Sequence, residues 1–306
     1  MNEPLTILFF SKRFTNRMEK STEHLIAEMK KKVNLIVWEE DGDLLPILNA
    51  LPRYPDYILL NDFKLDYSPH IYGLMDSPVP VGAILHEIKY KPFRRKQFYE
   101  RENIRHLFTH YREASLKVLP ELSDRFIWFP HHVPADIFKD YGEERDIDVL
   151  MMGILLKGLY PERAAFYERL KSFPGFVYDE HPGYGALTDN PKQYVGNQYA
   201  RRLARAKIFV TCDSKEKFPL MKYFEALACG TLLLASSSPE LEELGFIDGE
   251  TFVAVDKESI VEKVSYYLMH DEERERIIQQ GRQLILNRHT TEKRVDGLLE
   301  IISKLI

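Results

Sequence analysis

The sequence predicts an α/β protein built as two Rossmann-like, doubly wound domains facing a cleft, with a helical C-terminal tail. Three observations predict it. Short, continuously apolar runs alternate with stretches of helical periodicity. The alternation stops at a polar, aperiodic segment, Lys139–Asp146 (KDYGEERD), and then starts again. From Lys257 onward the pattern is mostly helical. Apolar runs without polar alternation are strands buried on both faces, as parallel strands between helix layers are. Strands that alternate with helices in this way make a doubly wound sheet.

Taken in order, Leu5–Phe10 (LTILFF) is the first strand. Thr15–Lys32 has helical periodicity, with Met18, Leu25, Ile26 and Met29 on one side. Strands follow at Asn34–Val37, Tyr57–Leu60, Val79–Leu85, His106–Thr109 and Phe126–Phe129. Helices are expected at Leu44–Leu51, Arg94–Glu102 and Glu113–Leu122. After the polar segment, strands are expected at Asp148–Met152, Gly175–Tyr178, Ile208–Cys212, Thr231–Ala235 and Phe252–Val255. The helices between them are Arg163–Leu170, Gln198–Ala206 and Met221–Ala228. In the tail, Asp256 or Ser259 caps the first helix, and Gly281 and Thr290 mark breaks. The division falls at 138/139, with one domain over 1–138 and a second over 139–290. A terminal helix over 291–306 is expected to pack back on the first domain. Ligands of open α/β sheets bind at the carboxyl ends of the strands, which puts the site in the cleft.

Composition narrows the class. The 306 residues suit about two domains, and 44% hydrophobic with 29% charged is an ordinary globular mixture. A net charge of −5 excludes a strongly basic chain, so nucleic acid is not expected as a partner. Cys212 and Cys229 fit no disulfide or metal-ligand spacing and read as small buried residues in a reducing compartment. The apolar run in MNEPLTILFF is too short for a signal-peptide core, and no stretch approaches a membrane span. A cytoplasmic protein is expected, with peripheral membrane contact left open.

Several residues are candidates for chemistry. Gly153 ends the first strand of the second domain, and the loop GILLKGLYPER runs from it into a helix with Pro161 in the first turn. A helix amino end offers unpaired N–H groups to an anion, and Lys157 and Arg163 add charge, Arg163 as a bidentate fork. The bland alternative is a solvated loop. Lys222 and Glu225 lie early in the helix Met221–Ala228, where a lysine suits a diphosphate and a glutamate suits ribose hydroxyls; an amphipathic helix with a charged outer face would look the same. Asp179, Glu180 and His181, with Pro182–Gly185, form a turn-rich loop after a strand, which reads either as a contact to a nucleobase or as a loop with no special role. His131 and His132 point to opposite faces of a strand and read as structural. Lys89–Lys96 (KYKPFRRK) interleaves five basic residues with Tyr90 and Phe93 and reads as an anion grip or as a solvated helix start.

The segment Lys222–Gly230 (KYFEALACG), followed by TLLLAS and by PELEEL at Pro239–Leu244, resembles the signature of bacterial group-1 glycosyltransferases of the GT-B fold. It is most similar to their spore-maturation branch. Gly245–Val255, Ser265–Thr290, Arg145–Arg163 and the interdomain FPHHVPADIF at Phe129–Phe138 extend the likeness. The resemblance implies transfer of a sugar from a nucleotide-sugar donor, UDP-linked, to a glycan, protein or small-molecule acceptor. It implies that Glu225 holds the donor ribose, that Lys222 and Lys157 approach the diphosphate and that Gly153 brings backbone close to phosphate. Arg163, His181 and Tyr223 complete the donor-binding set. His86 falls near a histidine that contacts the donor sugar in relatives. If the reaction inverts, His86 and Glu87 are the candidate bases. Retaining relatives carry two glutamates eight positions apart; here Lys217 stands at the first of those positions. The chain lacks a paired-Asp loop for a metal, so a metal-independent, hexosyltransferase-like enzyme with no cofactor is expected. The alternatives are a sugar-nucleotide epimerase on the same fold and a non-catalytic glycan- or partner-binding protein.

Overall fold

A computed structural model describes residues 4–13, 20–181 and 194–306. They form two compact units. One comprises the described residues up to Pro130 together with Arg294–Ile306; the other comprises the described residues between His131 and Lys293.

The first unit opens with β1 (Thr6–Phe10), α1 (Ser21–Met29) and β2 (Asn34–Trp38). A two-residue strand β3 (Gly42–Asp43) leads into α2 (Leu44–Ala50) and β4 (Tyr57–Leu60). Then come β5 (Ile71–Tyr72), β6 (Val81–Leu85), α3 (Pro92–Arg101), β7 (His106–Thr109), α4 (Arg112–Val118) and β8 (Phe126–Trp128). Six strands form one parallel sheet in the order β2-β1-β4-β6-β7-β8, while β3 and β5 pair separately. The expected helix 113–122 stops at Val118. Pro120 has no N–H to continue the ladder, and a 3₁₀ segment, Pro120–Arg125, replaces the last turns. The part of the expected first helix that falls on 14–19 lies outside the described residues.

The second unit holds β9 (Ile147–Met152), α5 (Pro161–Leu170), β10 (Phe176–Asp179), α6 (Asn197–Ala204) and β11 (Ala206–Thr211). They are followed by α7 (Met221–Ala228), β12 (Leu232–Ala235), α8 (Pro239–Glu243), β13 (Val253–Ala254), α9 (Ile260–Met269) and α10 (Asp271–Arg288). Its parallel sheet runs β10-β9-β11-β12-β13. Val149, Met151, Ile208, Val210, Leu232 and Leu234 of the strands pack with Phe166, Leu170, Ile260 and Ile277 of the helices.

The last helix, α11 (Thr291–Leu305), gives Val295, Leu298 and Ile302 to the first unit's core, beside Ile7, Phe9, Leu25 and Tyr57. The break expected at Gly281 does not occur: Gly281 lies inside α10. A Cβ there would sit 2.4 Å from Thr251 O and 2.9 Å from Leu227 Cδ2, so this glycine serves close packing.

In both sheets the second strand is an edge and the first lies inside it. The strand order therefore reverses between β1 and β4, and between β9 and β11. Ligand crevices of open α/β sheets form at such points, outside the carboxyl ends of the strands.

Candidate functional site

At the second sheet's reversal, β9 runs into Gly153, whose φ of +135° only glycine adopts freely. Its N–H donates to Asp179 O at 3.2 Å, and its carbonyl accepts from Tyr178 Oη at 2.6 Å. A Cβ on Gly153 would meet Arg163 Nη1 at 2.9 Å. The glycine thus makes room for a guanidinium. Arg163 stands in the first turn of α5, just after Pro161, and is 2% exposed. Nη1 donates to Ile154 O at 3.3 Å, and the guanidinium carbon lies 4.0 Å from the centre of the Tyr160 ring. Its Nε and Nη2 are buried without a hydrogen-bond partner among the described residues. A buried cation with two unused donors suits a bidentate anion.

The helix α7 adds Lys222 and Glu225, one turn apart on one face. Glu225 is buried and accepts from Tyr199 Oη at 2.9 Å; Lys222 Nζ lies 3.4 Å from the same hydroxyl and 5.1 Å from its ring centre. Burial pushes Lys222 down to about 8; Glu225 opposes this and Arg163 adds to it. His181, which follows β10, is pushed down to about 4 by burial and by the charges of Lys222 and Arg163. These groups feel one another's charge, and an added dianion would relieve the mutual repulsion of the cations.

Of the expected donor residues, the structure therefore brings together Gly153, Arg163, His181, Lys222 and Glu225. Tyr199, on α6, belongs with them, and sequence reasoning missed it. Two residues stand apart. Tyr223 points into the core, where its hydroxyl donates to Ser236 O at 2.8 Å and its ring meets Phe246 edge-on. Lys157 is exposed in the loop after β9, which also exposes Ile154, Leu156 and Leu159. Asp179 is held by Arg202 through two N–H···O contacts, 2.8 and 3.3 Å; residues 182–185 of that loop lie outside the described residues. Lys217 is ion-paired to Glu162 at 3.3 Å and to Asp213 at 3.5 Å.

The first sheet gathers a second polar group at its carboxyl end. Asn61 and Asp62 follow β4, His86 and Glu87 follow β6, and His110 follows β7. His86 Nε2 lies 2.7 Å from Asn61 Oδ1, its Nδ1 lies 3.3 Å from His110 Nε2, and its ring stacks on Tyr67 with centres 4.5 Å apart. Glu87 is exposed and pairs with Lys64 at 2.9 Å. Asp62, at φ +85°, accepts from the backbone N–H of His86 and pairs with Arg95 at 2.6 Å, with neither side chain exposed. Burial alone would raise the Asp62 carboxyl; Arg95 and His86 hold it below the usual range. The expected basic grip is thereby changed, because one of its five cations is internal and Lys96 is spent on Glu121. His131 and His132 are buried, His132 against Thr291 Oγ1 at 3.0 Å. Among the described residues, no group of three or more His, Cys, Asp or Glu gathers to hold a metal. No helix among them is long and apolar enough to cross a membrane.

Comparison with known proteins adds to this geometry. Residues 163–300 match the family described as glycosyl transferase-like. No curated protein matches the sequence. The fold is similar to sucrose-phosphate synthase from Thermosynechococcus elongatus, with a TM-score of 0.70 at 11% identity over 98% of this chain and 99% of that one. It is similar to Anabaena HepE, solved in complex with UDP-glucose, at 0.65 and 12% over 98% and 100%. A glycosyltransferase from Rickettsia africae matches at 0.63 and 10% over 99% of both chains. The GT-B fold expected from the sequence is borne out, helical C-terminal end included. So is the glycosyltransferase reading, over its two alternatives.

Proposed function

We propose that this glycosyl transferase-like chain moves a sugar from a UDP-sugar to a glycan, protein or small-molecule acceptor. The observation that carries the proposal is the gathering of Arg163, His181, Tyr199, Lys222 and Glu225, all within the matched residues, at the carboxyl end of one parallel sheet. The similarity to Anabaena HepE, which was solved with UDP-glucose bound, supports the choice of base.

On this reading Arg163 offers Nε and Nη2 to the diphosphate and Lys222 adds a mobile proton. As the sugar leaves, the diphosphate gains negative charge, and preformed donors aimed at developing charge lower the barrier. The two cations and the amino end of α5 supply that charge, so no metal ion is required. Glu225, steadied by Tyr199, accepts from the ribose hydroxyls. The first unit binds the acceptor, with His86 and Glu87 at the carboxyl end of its sheet and Glu87 as the base for the acceptor's proton. The KYFEALACG segment supports membership of the spore-maturation branch, and the two free, buried cysteines, Cys212 and Cys229, support a place in the cytoplasm.

A thermal-shift screen against UDP-, GDP-, dTDP- and CMP-sugars tests this, since a ligand of the folded state raises the melting temperature. UDP-sugars are expected to raise it, with EDTA present or absent. Lys222→Met and Arg163→Met should each weaken UDP by about 10- to 100-fold, as loss of a hydrogen bond to a charged group does. If no nucleotide sugar stabilises the protein, or both variants bind like wild type, the proposal is wrong.

A further inference from the structure

We infer that His86 and His110 form a coupled pair holding one excess proton, so that the first unit presents an imidazolium at the carboxyl end of its sheet. Three hydrogen bonds run in a line. Asn61 Oδ1 lies 2.7 Å from His86 Nε2, His86 Nδ1 lies 3.3 Å from His110 Nε2, and His110 Nδ1 lies 2.7 Å from Phe129 O. Both outer atoms only accept. The Phe129 carbonyl has no proton. The Asn61 amide turns its oxygen toward His86 because its nitrogen donates to Ser11 Oγ and Thr22 Oγ1, at 3.1 and 3.2 Å. Ser11 supports that direction: its own hydroxyl donates to Lys12 O at 3.1 Å, which leaves it to accept from Asn61.

His86 Nε2 and His110 Nδ1 therefore both carry protons. The bond between the rings needs another, on either partner. That makes three protons where two neutral imidazoles hold two. Without the third, two ring lone pairs would face each other at 3.3 Å. The charged and titratable neighbours permit the extra charge. Asp62 accepts from the His86 backbone N–H and is itself paired with Arg95. Glu87, the next residue, is held by Lys64; Tyr67 stacks on His86 and Tyr111 lies edge-on to His110.

The inference deepens the proposed function and rests on it for its catalytic meaning. Both ring nitrogens of His86 are engaged, so His86 enters the reaction as a positive charge. Glu87 then remains as the carboxylate for the acceptor's proton. His110 is a positioning residue that fixes the orientation and charge of His86.

Long-range ¹H–¹⁵N spectra of labelled protein count the ring protons without any turnover, and so test the pair separately from the transferase reading. At neutral pH the pair is expected to show three protonated ring nitrogens and to lose the third in one shared step as pH rises. His110→Gln keeps a donor to His86 Nδ1 but cannot share a proton. It should leave His86 neutral, protonated on Nε2 alone, with the shared step gone. Two protonated nitrogens in wild type at neutral pH, or an unchanged His86 titration in His110→Gln, would overturn the inference.

Discussion

Lys222 turns the donor reading into a statement about protons. Its ammonium is pushed down to about 8, below the ordinary lysine value of 10.5. Between those values the unfolded chain binds the proton more fully, so this group makes stability rise with pH there. A diphosphate beside it reverses the preference. UDP binding is therefore expected to take up protons near pH 8 to 9 and to weaken as pH rises through that window. Calorimetric titration in two buffers of different ionisation enthalpy checks this, and zero proton uptake would count against Lys222. Arg95 makes a stability prediction. Replacing it by Met strands the buried Asp62 charge and should cost about 3–5 kcal/mol, and adding Asp62→Asn should return part of it. Urea midpoints of the single and double variants measure both. The sequence singled out Glu225 and Lys222 from motif and helical spacing, and the structure sets both against Tyr199. It hid Arg95, because nothing in a run of five basic residues says which one turns inward except its spacing to Tyr99, the hydroxyl it bonds at 3.0 Å. It misled on Tyr223, because neighbours in a helical motif face different ways.

At the level of elements, buried strands were legible to within a residue or two, since an apolar run such as Tyr57–Leu60 has no polar residue to blur its ends. Helix ends set by tertiary packing were not. Gly281 looked like a break because glycine is a poor helix former. Its neighbours Thr251 O and Leu227 decide otherwise. This gives a prediction whose sign opposes propensity. Gly281→Ala gains about 1 kcal/mol in helix propensity, yet overpacking costs about 1–3 kcal/mol, so the variant should be less stable. An unchanged or higher denaturation midpoint would show that α10 shifts to accept the methyl group.

For the molecule as a whole, the two α/β repeats were visible because each restarts the strand–helix alternation. That a terminal helix returns to the first repeat was an expectation of the sequence; that Val295, Leu298 and Ile302 are the residues it gives to that core is legible only in the structure. Changing all three to Ala should abolish the first unit's calorimetric transition, since each buried truncation costs about 2–5 kcal/mol.

The same helix imposes an order on biosynthesis. Residues 131–293 form a continuous stretch whose core partners have all been made once Lys293 leaves the ribosome. The earlier-made strands must wait, with Ile7, Phe9 and Tyr57 lacking a cover, until α11 emerges. Closing that contact spans the whole second unit, but the entropy of closure grows only logarithmically with an intervening chain and falls further once that chain is compact. The half of the protein translated first is thus the half that matures last, and its open apolar face is the surface on which a nascent-chain chaperone would act.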